Sequence, residues 1–365
     1  MSTTTSKPAV NWADAARESA FFKWLASLQA SHPLAADSLR IASADASFRR
    51  YLRIDGPLCS RIIMDAPPDK ENSQPFVKVA ALMRQAGLTV PEVLAWDPAG
   101  GFLLLTDLGD QTMISAIDVE RPQSNLPLYL QAVDALITWQ RASRPGVLPA
   151  YDELLLRREL ELFPDWYLAK HRGVHVAGEI RSTLDASFKL IIERNLAWPN
   201  VYVHRDFMPR NLMVDMAPTL AASRAALPPT LGVLDFQDAV YGPITYDIAS
   251  LMRDAFLTWE EDFVLEVTIR YWEKARKAGL PVGGDFGEFY KGVEWMGLQR
   301  HLKVAGIFAR LTLRDGKPRY LADTPRFIDY IRATTSRYIE LKPLLRLVER
   351  LEGIPAPTAF AFGRL

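Results

Sequence analysis

The chain contains the segment Val203-His204-Arg205-Asp206-Phe207-Met208-Pro209-Arg210-Asn211, and Asp235-Phe236-Gln237-Asp238 begins 24 residues after Asn211. Apolar runs flank both stretches, at 201–203, 212–214 and 231–234. Such runs predict short buried strands that deliver the polar side chains into a cleft.

The spacing of Asp206, Asn211 and Asp235 is typical of a site that moves the γ-phosphoryl group of ATP onto a hydroxyl. Asp206 is the predicted catalytic base, which takes the proton of the acceptor hydroxyl. Asn211 and Asp235 are the predicted ligands of Mg²⁺, an ion that prefers oxygen donors and bridges phosphates. A His-x-Asp triplet alone is common in turns, but the full pattern with its strands is hard to obtain by chance.

Composition narrows the class of protein. A chain of 365 residues favours two lobes over one small core. The formal net charge of zero argues against a nucleic-acid partner bound through a basic surface. A single cysteine, Cys59, fits a reducing compartment. The first ten residues lack the apolar core of a signal peptide, and no apolar run reaches the length of a membrane span. We therefore expect a cytoplasmic protein with no membrane partner and no obligate protein partner.

The pattern of elements predicts an α+β chain. Short strand-like runs dominate the first third, and helical periodicity dominates after Gly109. The hinge is expected near 106–109, between a nucleotide-binding lobe at 1–107 and a catalytic, acceptor-binding lobe at 108–365. The Ala/Pro-rich segment 217–230 is expected to be a surface excursion of a hairpin.

At this level the chain resembles the aminoglycoside phosphotransferase and choline kinase branch of the protein-kinase-like fold. Within that branch it looks most like the bacterial cell-wall sugar kinases that phosphorylate N-acetylmuramate and N-acetylglucosamine at the anomeric hydroxyl. Six segments carry this closer resemblance: 45–51, 64–70, 104–109, 161–166, 235–247 and 294–301.

The resemblance implies roles for further residues, with ATP and Mg²⁺ as cofactors. Asp247 would anchor the catalytic loop from a following helix, and His204 would pack under that loop without transferring protons. Thr106, Asp107 and Leu108 would offer backbone groups to the adenine edge.

One departure from the family concerns the phosphate-binding cation. Kinase-like strands usually carry a lysine where this chain has Arg61-Ile62-Ile63-Met64-Asp65. The nearest cations are Arg49, Arg50 and Lys70, and Ser47 with its neighbouring amides is a further candidate for the phosphates. A solvated arginine on a strand face is the equally weighted alternative.

Charge favours a neutral or anionic acceptor. Residues 291–365 hold 14 Lys or Arg against 7 Asp or Glu, which disfavours a polycationic antibiotic or choline. N-acetylmuramate carries a carboxylate, for which arginine is a natural partner. The predicted acceptor-binding residues are Glu159, Trp166, Arg205, Arg210, Gln237, Asp238 and Tyr241.

The function predicted from the sequence is an ATP-dependent kinase of the anomeric hydroxyl of N-acetylmuramate and/or N-acetylglucosamine, acting in peptidoglycan recycling. Two alternatives stay open at this point. One is a phosphotransferase of the same family with another acceptor, such as an aminoglycoside, choline or another sugar. The other is a non-catalytic pseudokinase, favoured only by the missing lysine.

Overall fold

The structure is a computed structural model that describes residues 10–12, 14–44, 48–215 and 231–355. The chain divides into two compact units. The first unit comprises Met1–Trp139 and Pro209–Ala239, and the second comprises Gln140–Met208 and Val240–Leu365. The functional boundary expected after residue 107 stays a prediction. Ser47 and the excursion at 217–230 lie outside the described residues.

Strands dominate the beginning of the chain, as the alternating apolar runs predict. Five antiparallel strands form one sheet in the order β1-β2-β3-β5-β4. They are β1 Ala35–Ala44, β2 Arg50–Asp55, β3 Ser60–Asp65, β4 Val93–Asp97 and β5 Phe102–Thr106. A three-stranded sheet of β6 Gln111–Thr112, β8 Leu212–Asp215 and β9 Gly232–Val233 belongs to the same unit. The second unit contains the antiparallel pair β7 Asn200–Val203 and β10 Val240–Pro243.

Helices make up most of the remainder. They are α1 Ala15–Ser27, α2 Gln74–Gln85, α3 Met113–Ala116, α4 Leu126–Arg141, α5 Glu153–Leu160, α6 Gly178–Leu196, α7 Thr245–Met252, α8 Glu261–Lys277, α9 Phe286–Leu313, α10 Thr324–Arg337 and α11 Lys342–Glu352. A π-helical segment, Phe163–His171, follows α5. Within the described ranges, no helix has the length and apolarity needed to cross a membrane.

The five-stranded sheet uses its two faces differently. Leu52, Ile63 and Leu104 are paired across β2, β3 and β5 and are buried in a core to which α1 contributes Phe21 and Trp24. The next row along the same strands, Arg53, Ile62 and Leu105, lines a cavity. Because successive side chains of a strand point to opposite faces, a shift of one residue separates core from cavity.

Helix α9 is the longest element of the second unit, with 28 residues. Many of its side chains are fully buried, among them Phe289, Val293 and Leu302. Gly306 lets α9 pack closely against the chain at Leu162, since a Cβ atom at position 306 would lie 2.2 Å from the carbonyl oxygen of Leu162. The centre of this unit is therefore built around α9, which also carries several buried charged groups.

Candidate active site

The loop that carries Asp206 is anchored by Asp247, a fully buried residue of α7. Asp247 Oδ2 accepts a hydrogen bond from the backbone N–H of His204 at 2.7 Å, and Oδ1 accepts one from Arg205 at 3.0 Å. Burial raises the pKa of Asp247 to about 7, although both backbone donors favour the charged form. This geometry is the one expected of a residue that fixes the loop.

His204 is buried beneath the loop and works there through hydrogen bonds. Its Nδ1 accepts a hydrogen bond from the backbone N–H of Asp206 at 3.2 Å, and its ring packs edge-on against Phe207. Asp206 itself is partly exposed. The placement of His204 agrees with the packing role inferred from its sequence context, which stays a prediction.

Arg205 has a left-handed backbone conformation with φ 78°. A residue with a Cβ atom rarely adopts this conformation unless its surroundings hold it there. Besides the contact with Asp247, the carbonyl oxygen of Arg205 accepts a hydrogen bond from Ser250 Oγ at 3.3 Å. Its guanidinium forms an ion pair with Glu159. Both ends of the residue are thus tethered immediately before Asp206.

Glu159 is the hub of a buried polar network in the second unit. Its Oε1 pairs with Arg205 and lies 3.0 Å from Lys303 Nζ, while Oε2 accepts the hydroxyl of Tyr151. Burial opposes ionisation, but the charges of Lys303 and Arg205 lower the pKa of Glu159 below its ordinary value. Its carboxylate is therefore charged and engaged. Its contact with an acceptor stays a prediction.

The two predicted metal ligands meet in the first unit. Asn211 ends a short 3₁₀ turn, Pro209–Asn211, and its Nδ2 lies 3.3 Å from Asp235 Oδ2. Asp235 has φ 61°, a second strained position, and its Oδ1 accepts a hydrogen bond from Gln237 Nε2 at 2.8 Å. The side-chain oxygens of an Asn and an Asp form a donor set of the kind that Mg²⁺ takes, so the residues fit the ion. No cluster of three or more His, Cys, Asp or Glu suited to a metal occurs among the described residues.

A cavity of about 350 Å³ lies within the first unit. It brings together two groups of residues that the sequence places apart, the predicted hinge and the predicted metal ligands. The predicted site residues that line it are Thr106, Asp107, Leu108, Arg210, Asn211 and Asp235.

Arg53 also lines this cavity and is absent from the sequence-based set. Its Nε lies 2.6 Å from Asp107 Oδ2, and its Nη2 donates to Asp107 Oδ1 at 3.0 Å and to the carbonyl of Gly109 at 2.9 Å. Asp107 also accepts the hydroxyl of Ser60. The available signal was the alternation along β2, where Leu52 and Ile54 are buried and Arg53 falls on the opposite face.

The cations predicted for the phosphates are not among the residues that line the cavity. Arg49 pairs with Glu71 at 3.2 Å, and Arg50 pairs with the buried Asp65 at 2.5 Å. Lys70 is exposed. Their contacts with nucleotide stay predictions, as does that of Ser47, which lies outside the described residues.

The remaining predicted acceptor residues are spread over both units. Trp166 is partly exposed in the π-helical segment, a type of helix that often occurs at functional sites. Tyr241 is partly exposed on β10 in the second unit, and Asp238 is exposed in the first. Their roles stay predictions.

Solved structures share this fold. A choline kinase from Cryptosporidium parvum aligns with 90% of this chain and 99% of its own, with a TM-score of 0.58 and 10% identity. The ADP-bound aminoglycoside phosphotransferase APH(2'')-Ib aligns with 84% of this chain and 97% of its own, with a TM-score of 0.54 and 14% identity. The α+β, two-lobed protein-kinase-like fold predicted from the sequence is confirmed.

The chain belongs to the phosphotransferase enzyme family called APH, whose model matches residues 38–282. Membership implies the use of ATP, typically with Mg²⁺. The chain is 50% identical to an N-acetylmuramate/N-acetylglucosamine kinase of Pseudomonas aeruginosa, over 85% of this chain and 87% of that protein. It is 48% identical to a kinase of the same name from Neisseria meningitidis, over 89% of this chain and 94% of that protein. The family predicted from the sequence is confirmed.

Proposed function

We propose that this protein is an ATP- and Mg²⁺-dependent N-acetylmuramate/N-acetylglucosamine kinase that phosphorylates the anomeric hydroxyl. The observation that carries the proposal is the identity of about half of all aligned residues with kinases of that name, over most of both chains. The sugar kinase predicted from the sequence is supported at this level. The anomeric position and a role in peptidoglycan recycling are our inferences.

Asp206 is the proposed base. The acceptor oxygen attacks the γ-phosphorus of ATP in line, the bond from that phosphorus to the bridging oxygen breaks, and ADP leaves. The proton of the acceptor hydroxyl passes to the carboxylate of Asp206. Asp247 and His204 support this step by fixing the backbone around Asp206, because a base acts efficiently only when it is held at the reacting oxygen.

Asn211 and Asp235 are the proposed holders of Mg²⁺, which when bound offsets the negative charge of the phosphates. Gln237 orients the Asp235 carboxylate through the hydrogen bond to Oδ1. In the same unit, the cavity lined by Thr106, Asp107 and Leu108 offers apolar walls and backbone groups of the kind that an adenine ring requires.

The test is ADP release with separate acceptors: N-acetylmuramate, N-acetylglucosamine, glucose, kanamycin and choline. Products are then examined by ³¹P NMR. We expect turnover with the two amino sugars and a phosphorus coupled to the anomeric proton. Asp206→Asn is expected to lower kcat by about 10²–10⁴-fold without loss of fold. Turnover with kanamycin or choline alone would overturn the acceptor, and full activity of Asp206→Asn would overturn the mechanism.

A pseudokinase is disfavoured because Asp206, Asn211 and Asp235 are all present, and the same assay addresses it: folded protein that releases no ADP with any acceptor would support it. We also infer a cytoplasmic location from the dependence on ATP and from the single cysteine, which fits a reducing compartment.

A further inference from the structure

Two cations lie one turn apart on helix α9, close to the network around Glu159. Arg300 and Lys303 are three positions apart and therefore share one face of the helix. Both approach Tyr246, with the Arg300 guanidinium 5.5 Å and the Lys303 ammonium 5.8 Å from the centre of its ring. Lys303 Nζ also lies 3.2 Å from the Tyr246 hydroxyl.

Lys303 is charged although it is buried. Burial lowers the pKa of its ammonium, but the carboxylates of Glu159 and Asp206 act in the opposite direction, and the net effect is a raised pKa. Its partners in the described chain are Glu159 and Tyr246. An ammonium has three N–H donors, so one remains for a further acceptor.

Negative charge in this network is scarce. Lys303 and Arg205 both pair with Glu159 Oε1, and the only other carboxylate whose charge acts on both of them in the described chain is that of Asp206. Arg300 forms no ion pair with any described residue; its Nη1 donates only to the carbonyl of Arg253 at 3.4 Å, and its Nε is buried without a partner. Asp247, the nearby buried acid, is only partly ionised at neutral pH because its pKa is about 7.

Buried positive charge of this kind costs free energy unless an anion offsets it. The side chains of Arg205 and Lys303 keep 17% and 10% exposure and therefore reach solvent, whereas Arg300 is only 2% exposed. Arg205 also precedes Asp206 in the chain, which places this positive charge beside the proposed base.

We propose that Lys303, backed by Arg300, recognises the carboxylate of the acceptor and so determines selectivity for N-acetylmuramate over N-acetylglucosamine. The inference rests on the proposed function. The two sugars differ in one feature that matters here: the lactyl ether of N-acetylmuramate ends in a carboxylate, and N-acetylglucosamine has a hydroxyl in its place. A buried ammonium and a carboxylate form a charge-assisted hydrogen bond, whereas the hydroxyl forms only a neutral one.

The first arm of the test uses the wild-type protein. Initial rates are measured with N-acetylmuramate, its methyl ester and N-acetylglucosamine. We expect the ester, which lacks the negative charge, to show a kcat/KM about 10–100-fold below that of the acid, mainly through KM. Equal values for acid and ester would overturn the inference while leaving the proposed function intact. Turnover of neither sugar would instead remove the proposed function.

The second arm uses variants. Lys303→Met keeps most of the side-chain length and removes the charge, and Lys303→Arg restores a cation. Lys291→Met is the matched control, because Lys291 lies on the same helix and has its nearest aromatic partner, Tyr338, outside this network.

The readout is the ratio of kcat/KM for N-acetylmuramate to that for N-acetylglucosamine. We expect Lys303→Met to lower this ratio about 10–100-fold, Lys303→Arg to restore much of it, and Lys291→Met to leave it unchanged. If Lys303 has a purely structural role, its substitution would lower kcat/KM for both sugars by the same factor and leave the ratio unchanged. If Lys303→Met does not fold, the comparison of acid and ester still tests whether the carboxylate is recognised, and Lys303→Arg tests the position.

Discussion

Asp247 Oδ1 lies 3.0 Å from the backbone nitrogen of Arg205, and this contact accompanies a left-handed conformation of Arg205 with φ 78°. The residue after Arg205 is Asp206, the proposed base. A helix residue that follows the loop by more than forty positions therefore controls the backbone next to the reacting group. Substitution of Asp247 should therefore affect both the catalytic rate and the stability of the protein, and the two effects can be measured separately.

Asp247→Asn is expected to lower kcat by about 100-fold. The amide nitrogen that replaces one carboxylate oxygen cannot accept a backbone N–H, so the loop loses one of its two hydrogen bonds and the base loses its position. The free energy of unfolding responds differently: the variant should become more stable relative to wild type as the pH rises. The folded-state pKa of about 7 lies above the ordinary value of 3.8, so wild type loses stability as pH rises between these values.

Urea unfolding of wild type and Asp247→Asn at pH 5 and pH 8 checks this sign. We expect the variant to gain about 1–3 kcal/mol relative to wild type over that interval. A stability difference that does not change with pH would show that Asp247 is ionised throughout.

Asp235→Asn is expected to remove activity and leave the fold. Loss of the carboxylate weakens the metal site, for which we expect a fall in kcat of at least about 100-fold. Asn tolerates the left-handed φ of 61° nearly as well as Asp, so unfolding should change by less than about 1 kcal/mol. Asp235→Val is the contrasting variant, since a β-branched residue at this φ should cost about 1–2 kcal/mol more. Equal free energies of unfolding for the two variants would show that the left-handed conformation at position 235 is not strained.

Arg53→Ala is expected to raise KM for ATP by about tenfold, with little change in KM for the sugar. Its guanidinium holds Asp107 and the carbonyl of Gly109 at the wall of the cavity, and its loss leaves a buried carboxylate short of a cation, at a cost of about 1–3 kcal/mol. Arg40→Ala is the control, since Arg40 pairs with the partly exposed Asp55 and its loss should cost less than about 1 kcal/mol. Equal KM for ATP in both variants would remove Arg53 from the nucleotide site.

Glu159→Gln is expected to destabilise the protein by about 3–5 kcal/mol at pH 7, because Arg205 and Lys303 lose the carboxylate they share. The lowered pKa of Glu159 sets the pH dependence. Its contribution is complete above the ordinary pKa of 4.5 and disappears as pH falls through the lower folded value. The difference between wild type and variant in chemical unfolding should therefore shrink below about pH 4.5. A difference independent of pH would refute the ion-pair explanation.

The strands of the first third were predictable because they rest on local signals, as does the spacing of the residues proposed for catalysis. Asp206, Asn211 and Asp235 have a fixed spacing between apolar runs. Burial alternates from Leu52 to Ile54 in β2, while β3 is apolar from Ile62 to Met64 and β5 from Phe102 to Leu105. Helix α2 ends at Gln85, and Gly87 two residues later, with φ 93°, is a glycine of the kind that commonly follows a helix end because it takes the left-handed conformation.

What the sequence could not supply is which cations meet which acids. Arg49, Arg50 and Arg53 are close together on one short segment; alternation along β2 places Arg53 opposite Leu52 and Ile54, but its pairing with Asp107, 54 positions away, is set by tertiary packing. Lys303 and Glu159 lie 144 positions apart, and no local pattern links a buried lysine of one helix to a glutamate of another. Such pairings depend on tertiary packing.

The first unit is made from two separate stretches of chain, and this governs the order in which it can be completed during synthesis. Strand β6 pairs with β8, and Gly232 of β9 pairs with Thr89. Thr89 and β6 can therefore form these pairs only after residues beyond position 210 have been synthesised. A nascent chain that has emerged only as far as α4 lacks Asn211 and Asp235 and presents an unfinished cavity wall. This unit can therefore be completed only after the stretch Gln140–Met208 of the second unit has been translated, and the earlier strands are exposed without their partners until then.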